Sequence, residues 1–273
     1  MTPEELKQIV KEKYGKIAEQ VSEEQSCCSS SSCCGPEVDY TVFSENYQNK
    51  EGYNPDADMN LGCGIPTDFA GINKGDHVLD LGSGAGNDCF VARAIVGETG
   101  KVTGLDMTEQ MIRKARENCK KLDYKNVEFV PGDIETMPFD DKIFDIVISN
   151  CVLNLVPDKS QAFREIFRVL KPGGHFCVSD VVIKGNLSEK MQRDAEMYAG
   201  CVSGASEINE YLKIIEQSGF LAMKMHKQKE IKLPDSLLSE YNDASELKSY
   251  HAGVTGIFSI TVTAVKPNLF SIH

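Results

Sequence analysis

A glycine-rich turn near residue 84 constrains the fold of this chain more than any other feature of its sequence. The turn reads Gly82-Ser83-Gly84-Ala85-Gly86, follows the short apolar segment 77–81, and precedes a helical pattern that runs to Val96. Because glycines lack side chains, a ligand can approach the backbone there, and the following helix offers unpaired N–H groups. Asp106 ends the next apolar segment about 20 residues after the turn, where a carboxylate can accept both ribose hydroxyls. The pattern predicts a nucleotide-type binding site on a strand, turn and helix unit.

Strand and helix patterns alternate along the middle of the chain. The strand patterns lie at residues 77–81, 101–105, 127–130, 144–149 and 175–182, and further helical patterns lie at 110–122 and 162–170. Such alternation is typical of a parallel sheet with helices on both faces. We therefore expect an α/β fold with a doubly wound, mostly parallel seven-stranded sheet, which strands at 222–228 and 257–265 complete.

Three parts of the chain differ in pattern, and we expect domain boundaries between them. Residues 1–62 form an arm, in which apolar spacing predicts an amphipathic helix over 3–20 that packs on the core, followed by a cysteine-rich polar loop. Residues 63–184 form the nucleotide-binding core. Residues 185–273 carry a glycine-flanked loop, predicted helices at 188–198, 206–218 and 237–250, and the last two strands.

Charge and composition exclude several classes of function. The 273-residue chain has a net charge of −12, a pI near 5.0 and no stripe rich in Lys or Arg, so nucleic acid is not an expected partner. No apolar run reaches the ~18 residues needed to span a bilayer, and the charged N-terminus is unlike an export signal. Ten cysteines would indicate disulfides in a short secreted domain, but the length of this chain, its N-terminus and the nucleotide-type turn favour a reducing compartment. The sequence predicts a cytoplasmic protein with no membrane partner and mostly reduced thiols.

Further motifs accompany the glycine turn at the expected ends of elements. Asp80-Leu81 precedes the turn, Gly132-Asp133-Ile134-Glu135 follows the third strand, and Leu170-Lys171-Pro172-Gly173-Gly174 precedes the fifth. Together these motifs resemble the class I S-adenosylmethionine-dependent methyltransferases, over roughly residues 75–183. The resemblance implies a Rossmann-like fold and S-adenosyl-L-methionine as the cofactor. The predicted cofactor-binding residues are Asp80, Gly82, Ser83, Gly84, Gly86, Asp106, Met107, Asp133, Ile134 and Asn150.

The same resemblance implies a role for several of these residues. The glycine backbone lies beside the methionine part of the cofactor, and Asp106 holds the ribose. Met107 and Ile134 flank the adenine, and Asp133 hydrogen-bonds the adenine amine.

Three cysteines lie in segments that the fold could bring to one edge of the sheet. Cys151 follows the fourth strand at its carboxyl end, where doubly wound folds bind ligands. Cys201 lies in a glycine-flanked loop after the fifth strand, and Cys63 in a glycine-flanked segment before the core. Thiolates select soft acceptors, of which trivalent arsenic is one. Its lone pair can attack a sulfonium methyl group directly, so positioning rather than a strong general base is needed. The five histidines accordingly lie away from this edge.

The segments around these cysteines carry a second resemblance. Asn60-Leu61-Gly62-Cys63-Gly64, the run from Ile148 to Leu155 and the run from Tyr198 to Ala205 closely resemble arsenite S-adenosylmethionine methyltransferases. The resemblance implies that Cys151 and Cys201 bind As(III), and that Cys63 joins them and forms a disulfide with Cys151 during turnover. It also implies a thiol reductant, glutathione or thioredoxin, as co-substrate, with mono- and dimethylated arsenicals as products. We expect a monomer that acts in arsenic detoxification. We expect no long cysteine-bearing C-terminal extension of the kind found in some family members.

The remaining cysteines leave alternatives open. Cys89, Cys119 and Cys177 have periodic apolar neighbours, which favours packing roles. The vicinal pairs in the polar loop could load metalloid or belong to a dispensable tail; they are Cys27, Cys28, Cys33 and Cys34. Two other functions compete with arsenic methylation. One is methylation of carbon or oxygen in a sterol or quinone, and the other is non-catalytic thiol binding of a metal such as Zn²⁺.

Overall fold

A single twisted sheet forms the centre of the protein. The computed structural model describes residues 2–23, 45–193 and 204–268. Within these residues seven strands pair in the order β3-β2-β1-β4-β5-β7-β6, where β1 to β5 are parallel and β7 is antiparallel to both β5 and β6. The predicted doubly wound, mostly parallel seven-stranded sheet is confirmed.

The helices and strands have the following bounds. The strands are β1 His77–Leu81, β2 Lys101–Asp106, β3 Val127–Pro131, β4 Phe144–Asn150, β5 Leu170–Lys184, β6 Leu221–Ile231 and β7 Gly256–Val265. The helices are α1 Pro3–Glu23, α2 Asn87–Val96, α3 Glu109–Lys121, α4 Lys159–Val169, α5 Glu189–Arg193, α6 Ile208–Gln217, α7 Asp235–Tyr241 and α8 Ala244–His251. Two short 3₁₀ turns cover Pro66–Asp68 and Leu153–Leu155.

The central strands are apolar on both faces because helices cover both sides of the sheet. Leu79 and Phe176 on one face, and Val78 and Ile148 on the other, are fully buried in two separate apolar clusters. The strand order reverses between β1 and β4, since β2 follows on one side of β1 and β4 lies on the other. This reversal opens a crevice at the carboxyl ends of both strands, where ligands bind in such folds.

Helix α1 packs on α3 of the core, as predicted from its apolar spacing. Val10 and Ala18 are buried on its inner face. Val10 belongs to a third apolar cluster that also contains Cys63 and Cys151. The arm therefore lies against the carboxyl edge of the sheet. No helix in the described ranges is long and apolar enough to cross a membrane.

The C-terminal part differs from the prediction in two places. The predicted helix over 237–250 is two helices, because Asp243 begins α8 with a reciprocal cap. The Asp243 carboxylate accepts from the Ser245 and Glu246 N–H groups, and the Glu246 carboxylate accepts from the Asp243 N–H. Strand β5 begins at Leu170 rather than at His175, with a shift in its register against β4 at this end. The predicted domain division stays a prediction, although the sheet itself continues past residue 184 through β6 and β7.

Candidate functional site

A deep cavity lies at the carboxyl ends of β1, β2 and β4. It measures about 1180 Å³ when the open solvent at its mouth is included. Its walls come from the glycine turn, the ends of β2 and β4, the segment after β3, helix α1 and residues 57–62. Nine of the ten predicted cofactor-binding residues line it: Asp80, Gly82, Ser83, Gly84, Asp106, Met107, Asp133, Ile134 and Asn150.

The glycine turn combines left-handed backbone with close packing. Gly82 has a φ of +64°, and a Cβ at this position would lie 2.7 Å from Cγ1 of Val152 and closer to Cγ2. Gly84 has a φ of +51°, and no atom lies within 4 Å of its would-be Cβ, so its main chain opens onto the cavity. Gly86 does not line the cavity; a Cβ there would contact Phe90 and Phe129. Gly86 thus has a packing role at the start of α2.

Asp106 connects the glycine turn to the end of β2. Its two carboxylate oxygens accept hydrogen bonds from the N–H groups of Gly84, at 2.9 Å, and Thr108, at 2.8 Å. Burial raises the pKa of Asp106 despite these bonds. Each carboxylate oxygen can accept a second hydrogen bond. The geometry is suited to holding a pair of hydroxyl groups.

Two carboxyl groups are buried at the inner wall of the cavity. Burial, followed by the charge of Asp88, raises the pKa of Asp80 well above its usual range, and the Cys89 thiol donates to Asp80 at 3.2 Å. Burial also raises the pKa of Asp88 to about 6. A cationic ligand would compensate this desolvated charge. Nothing in the sequence pattern singled out Asp88.

Two buried polar side-chain atoms at this cavity could form hydrogen bonds with a ligand. Ser83 Oγ and Asn87 Oδ1 are buried and have no hydrogen-bond partner among the described residues. Both residues line the cavity. Buried polar groups normally have partners, so these two atoms are available to a polar ligand. Together with Asp80 and Asp106, they fit a ligand that carries amino-acid, sulfonium and ribose groups.

The outer end of the cavity is closed by helix α1. Lys7 forms ion pairs with Asp133, at 2.6 Å, and with Glu135. Val10 and Tyr14 line the cavity from the same helix. Lys7 therefore fixes α1 to the loop in which adenine recognition was predicted, a contact between residues 126 apart that no local pattern indicates.

Cys63 and Cys151, two of the three predicted thiols, lie in the same part of the core. They are 1% and 4% exposed and belong to one apolar cluster. Cys151 also lines the cavity, and its φ of 59° is a left-handed conformation that non-glycine residues rarely adopt. Its N–H donates to the Ser179 carbonyl at 2.7 Å, which fixes the turn to β5. Neither thiol forms a disulfide. Cys201, the third predicted thiol, lies outside the described residues.

Two ionisable side chains, the buried Asp180 and the partly buried Lys159, lie on or contact segments next to Cys151. The Asp180 carboxylate on β5 is fully buried and accepts from the Tyr211 hydroxyl at 2.9 Å. Burial raises the pKa of Asp180 to about 7. The Lys159 ammonium donates to the carbonyls of Asn154, Val156 and Gly204 at 3.0–3.1 Å. The Lys159 side chain therefore links the segment after Cys151 to Gly204.

The other described cysteines lie elsewhere. Cys89, Cys119 and Cys177 are buried in the apolar cluster beneath α2, in agreement with the predicted packing roles. No group of three His, Cys, Asp or Glu side chains within the described ranges could hold a metal ion. The vicinal cysteine pairs on which the zinc hypothesis depends lie outside these ranges.

Sequence and structure are similar to known methyltransferases. Residues 72–219 match a family model described as a methyltransferase domain. The chain is 38% identical to an arsenite methyltransferase of Halobacterium salinarum, covering 97% of this chain and 68% of that protein. It is 41% identical to a human arsenite methyltransferase, over 52% of this chain and 40% of that protein.

The chain is also similar in structure to a solved arsenic methyltransferase. The crystal structure of an arsenic(III) S-adenosylmethionine methyltransferase from Chlamydomonas reinhardtii superimposes with a TM-score of 0.64 at 33% identity. The match covers 88% of this chain and 77% of that one.

Proposed function

The chain belongs to the arsenite methyltransferase family, and we propose that it methylates trivalent arsenic held by its buried thiols, with S-adenosylmethionine as the methyl donor. The observation that carries this proposal is the position of Cys63 and Cys151. Both thiols lie in one apolar cluster, and Cys151 also faces a cavity with an acidic inner wall. A thiol site for a soft acceptor thus adjoins a site suited to a cationic donor.

Different residues of the cavity bind the three parts of the cofactor. Asp106 holds the ribose hydroxyls, Asp133 and Ile134 receive the adenine, and Asp80 and the glycine turn hold the methionine part. S-adenosylmethionine, when bound, supplies an electrophilic methyl group on a sulfonium sulfur. The positive charge of that group would favour the ionised forms of Asp80 and Asp88, whose pKa values burial raises.

The thiols perform two tasks in the proposed reaction. First, thiolates of Cys63 and Cys151, joined by Cys201, hold arsenic and leave its lone pair directed outward. A new arsenic–carbon bond forms from that lone pair as the carbon–sulfur bond breaks, and its electron pair remains on the departing thioether. No proton is abstracted from arsenic, so the site needs no general base.

Second, the thiols supply electrons. Methylation by a methyl cation raises arsenic formally from trivalent to pentavalent, and two electrons return it to the trivalent state. Oxidation of Cys63 and Cys151 to a disulfide releases two electrons. Glutathione or thioredoxin then reduces the disulfide. This cycle yields mono- and dimethylated arsenicals and serves detoxification, and we propose that the chain performs it as a cytoplasmic monomer.

The test is a methylation assay with matched cysteine variants. Purified protein is incubated with S-adenosylmethionine, As(III) and glutathione, and methylated arsenic is measured for the wild type, Cys63→Ser, Cys151→Ser and Cys201→Ser. Cys119→Ser is the control, because its buried thiol lies on α3 and bonds only local carbonyls of residues 124 and 127. We expect product from the wild type and control but not from Cys151→Ser or Cys201→Ser. Absence of product from wild-type protein that binds the cofactor would favour a carbon or oxygen acceptor.

A further inference from the structure

The side chain of Asn150 connects the two thiol-bearing segments. Its Oδ1 accepts hydrogen bonds from the N–H groups of Cys63, at 3.1 Å, and Gly64, at 3.3 Å. Its Nδ2 donates to the Gly64 carbonyl at 2.9 Å. Because Asn150 directly precedes Cys151, one carboxamide fixes the main chain of Cys63 relative to Cys151, although the segments are 87 residues apart.

Tyr47 and Asp88 hold this carboxamide in place. Asn150 Nδ2 also lies 2.9 Å from the Tyr47 hydroxyl and 3.0 Å from the Asp88 carboxylate, and its two hydrogens are shared among these acceptors and the Gly64 carbonyl. The Tyr47 hydroxyl lies 2.8 Å from Asp88 Oδ1 and 3.0 Å from the Gly64 carbonyl, to which it can donate. Tyr47 is 4% exposed and Asp88 is 9% exposed. The Tyr47–Asp88 bond is therefore buried, where a lost hydrogen bond is costly, and the bonds of Asn150 are partly buried.

The segment around Cys63 lies outside the helices and strands. No helix or strand covers residues 60–65, so the regular hydrogen bonds of an element do not set the position of Cys63. Besides Asn150, the Ser259 hydroxyl donates to the Cys63 carbonyl. The packing is close as well: a Cβ on Gly62 would lie 2.5 Å from Asn150 Nδ2, and one on Gly64 would lie 2.6 Å from Ser179 Cβ. The segment lies against the ends of β4 and β5 through main-chain contacts.

We propose that Tyr47 is a positioning residue for the arsenic site. It acts through Asn150, whose carboxamide sets the spacing of Cys63 and Cys151 so that both thiolates can bind one arsenic atom. The inference rests on the proposed function. Asn150 therefore has a role beyond the cofactor contact predicted from the sequence. Two ligands of one atom must be held within about 0.5 Å of the productive geometry, which a segment without regular structure does not provide alone.

The experiment measures the affinity of the Cys63 and Cys151 thiols for phenylarsine oxide. This trivalent arsenical binds two thiols and releases one water. The full-length chain carries serine at Cys27, Cys28, Cys33, Cys34 and Cys201, so that Cys63 and Cys151 remain the pair at the site. Affinity is measured by calorimetry for this background and for Tyr47→Phe. Tyr124→Phe is the control, since Tyr124 is also a partly buried tyrosine, with its ring beside Phe90 in the core.

We expect Tyr47→Phe to weaken phenylarsine oxide binding about tenfold, whereas Tyr124→Phe leaves it unchanged. S-adenosylmethionine affinity is measured separately for each variant, because Tyr47 also lines the cofactor cavity. The decisive readout is a double-mutant cycle with Asn150→Ala. If Tyr47 acts through Asn150, the effect of Tyr47→Phe on arsenical affinity is much smaller once Asn150 is alanine, because only the bond to the Gly64 carbonyl is then lost. Additive losses, or unchanged affinity in Tyr47→Phe, would overturn the proposal.

Failure of the proposed function gives a different result. In that case the background protein itself binds no phenylarsine oxide through Cys63 and Cys151, and wild-type protein methylates no arsenic. If Tyr47→Phe does not fold, Asn150→Ser in the same background replaces it. This variant should lose arsenical affinity by a similar factor, and retention of full affinity would overturn the proposal.

Discussion

Replacing Gly82 and Gly84 separately by alanine should distinguish the packing role of the turn from its binding role. Both residues have positive φ, at +64° and +51°, so each alanine incurs a backbone cost of about 1–2 kcal/mol. Only Gly82 lacks space for a methyl group, because the new Cβ would overlap the side chain of Val152, next to Cys151. Overpacking of this kind adds about 1–3 kcal/mol.

The expected losses in the free energy of unfolding are therefore about 2–5 kcal/mol for Gly82→Ala and about 1–2 kcal/mol for Gly84→Ala. Urea denaturation measures both. Cofactor affinity, measured by calorimetry, should fall for Gly84→Ala in spite of its smaller effect on stability, since its new methyl group projects toward the cavity. Equal destabilisation by the two substitutions, or unchanged cofactor affinity in Gly84→Ala, would refute this account of the turn.

Two pH dependences follow from the buried carboxylates. Burial raises the pKa of Asp88 to about 6, so this group is neutral below that pH and negative above it. The affinity for the cationic cofactor should therefore rise as the pH increases through 6. Asp88→Asn should remove that rise in calorimetric titrations from pH 5 to 8. A rise that persists in Asp88→Asn would exclude Asp88 as its source. The pKa of Asp180 is raised by burial from 3.8 to about 7, so the folded state binds its proton more tightly than the unfolded state. Its contribution to stability is present below pH 3.8 and is lost as the pH rises through 7. Asp180→Asn should flatten this part of the stability profile, measured by urea denaturation at successive pH values, and an unchanged slope would contradict the assignment.

The sheet could be predicted from sequence because its signals are local. Each central strand is a short apolar run bounded by turn residues, and the glycine turn and Asp106 have a spacing that only a strand, turn and helix unit explains. The split of the predicted helix over 237–250 also had a local signal, the Asp243-x-x-Glu246 capping pattern, which the helical spacing of apolar residues obscured.

The rest of the site depends on contacts that no local pattern contains. Tyr47 lies in a segment without apolar periodicity, and its function follows from contacts with Asp88 and Asn150, which are 41 and 103 residues away in sequence. In the sequence, Lys7 is one of several charged residues on an amphipathic helix. Its partners, Asp133 and Glu135, follow the third strand, so no local pattern identifies the contact. Such side chains become identifiable once the fold brings them to the same edge of the sheet.

Arsenic K-edge X-ray absorption spectroscopy of the As(III)-bound protein tests the central claim most directly, because it counts the sulfur atoms bound to arsenic. The four N-terminal cysteines are first replaced by serine, and the spectrum is compared with those of the same protein carrying Cys63→Ser, Cys151→Ser or Cys119→Ser. We predict three sulfur ligands in the parent protein and the Cys119→Ser control, and fewer in the other two variants. An unchanged sulfur shell in Cys151→Ser, or a shell of oxygen alone in the parent protein, would contradict the assignment of the arsenic site.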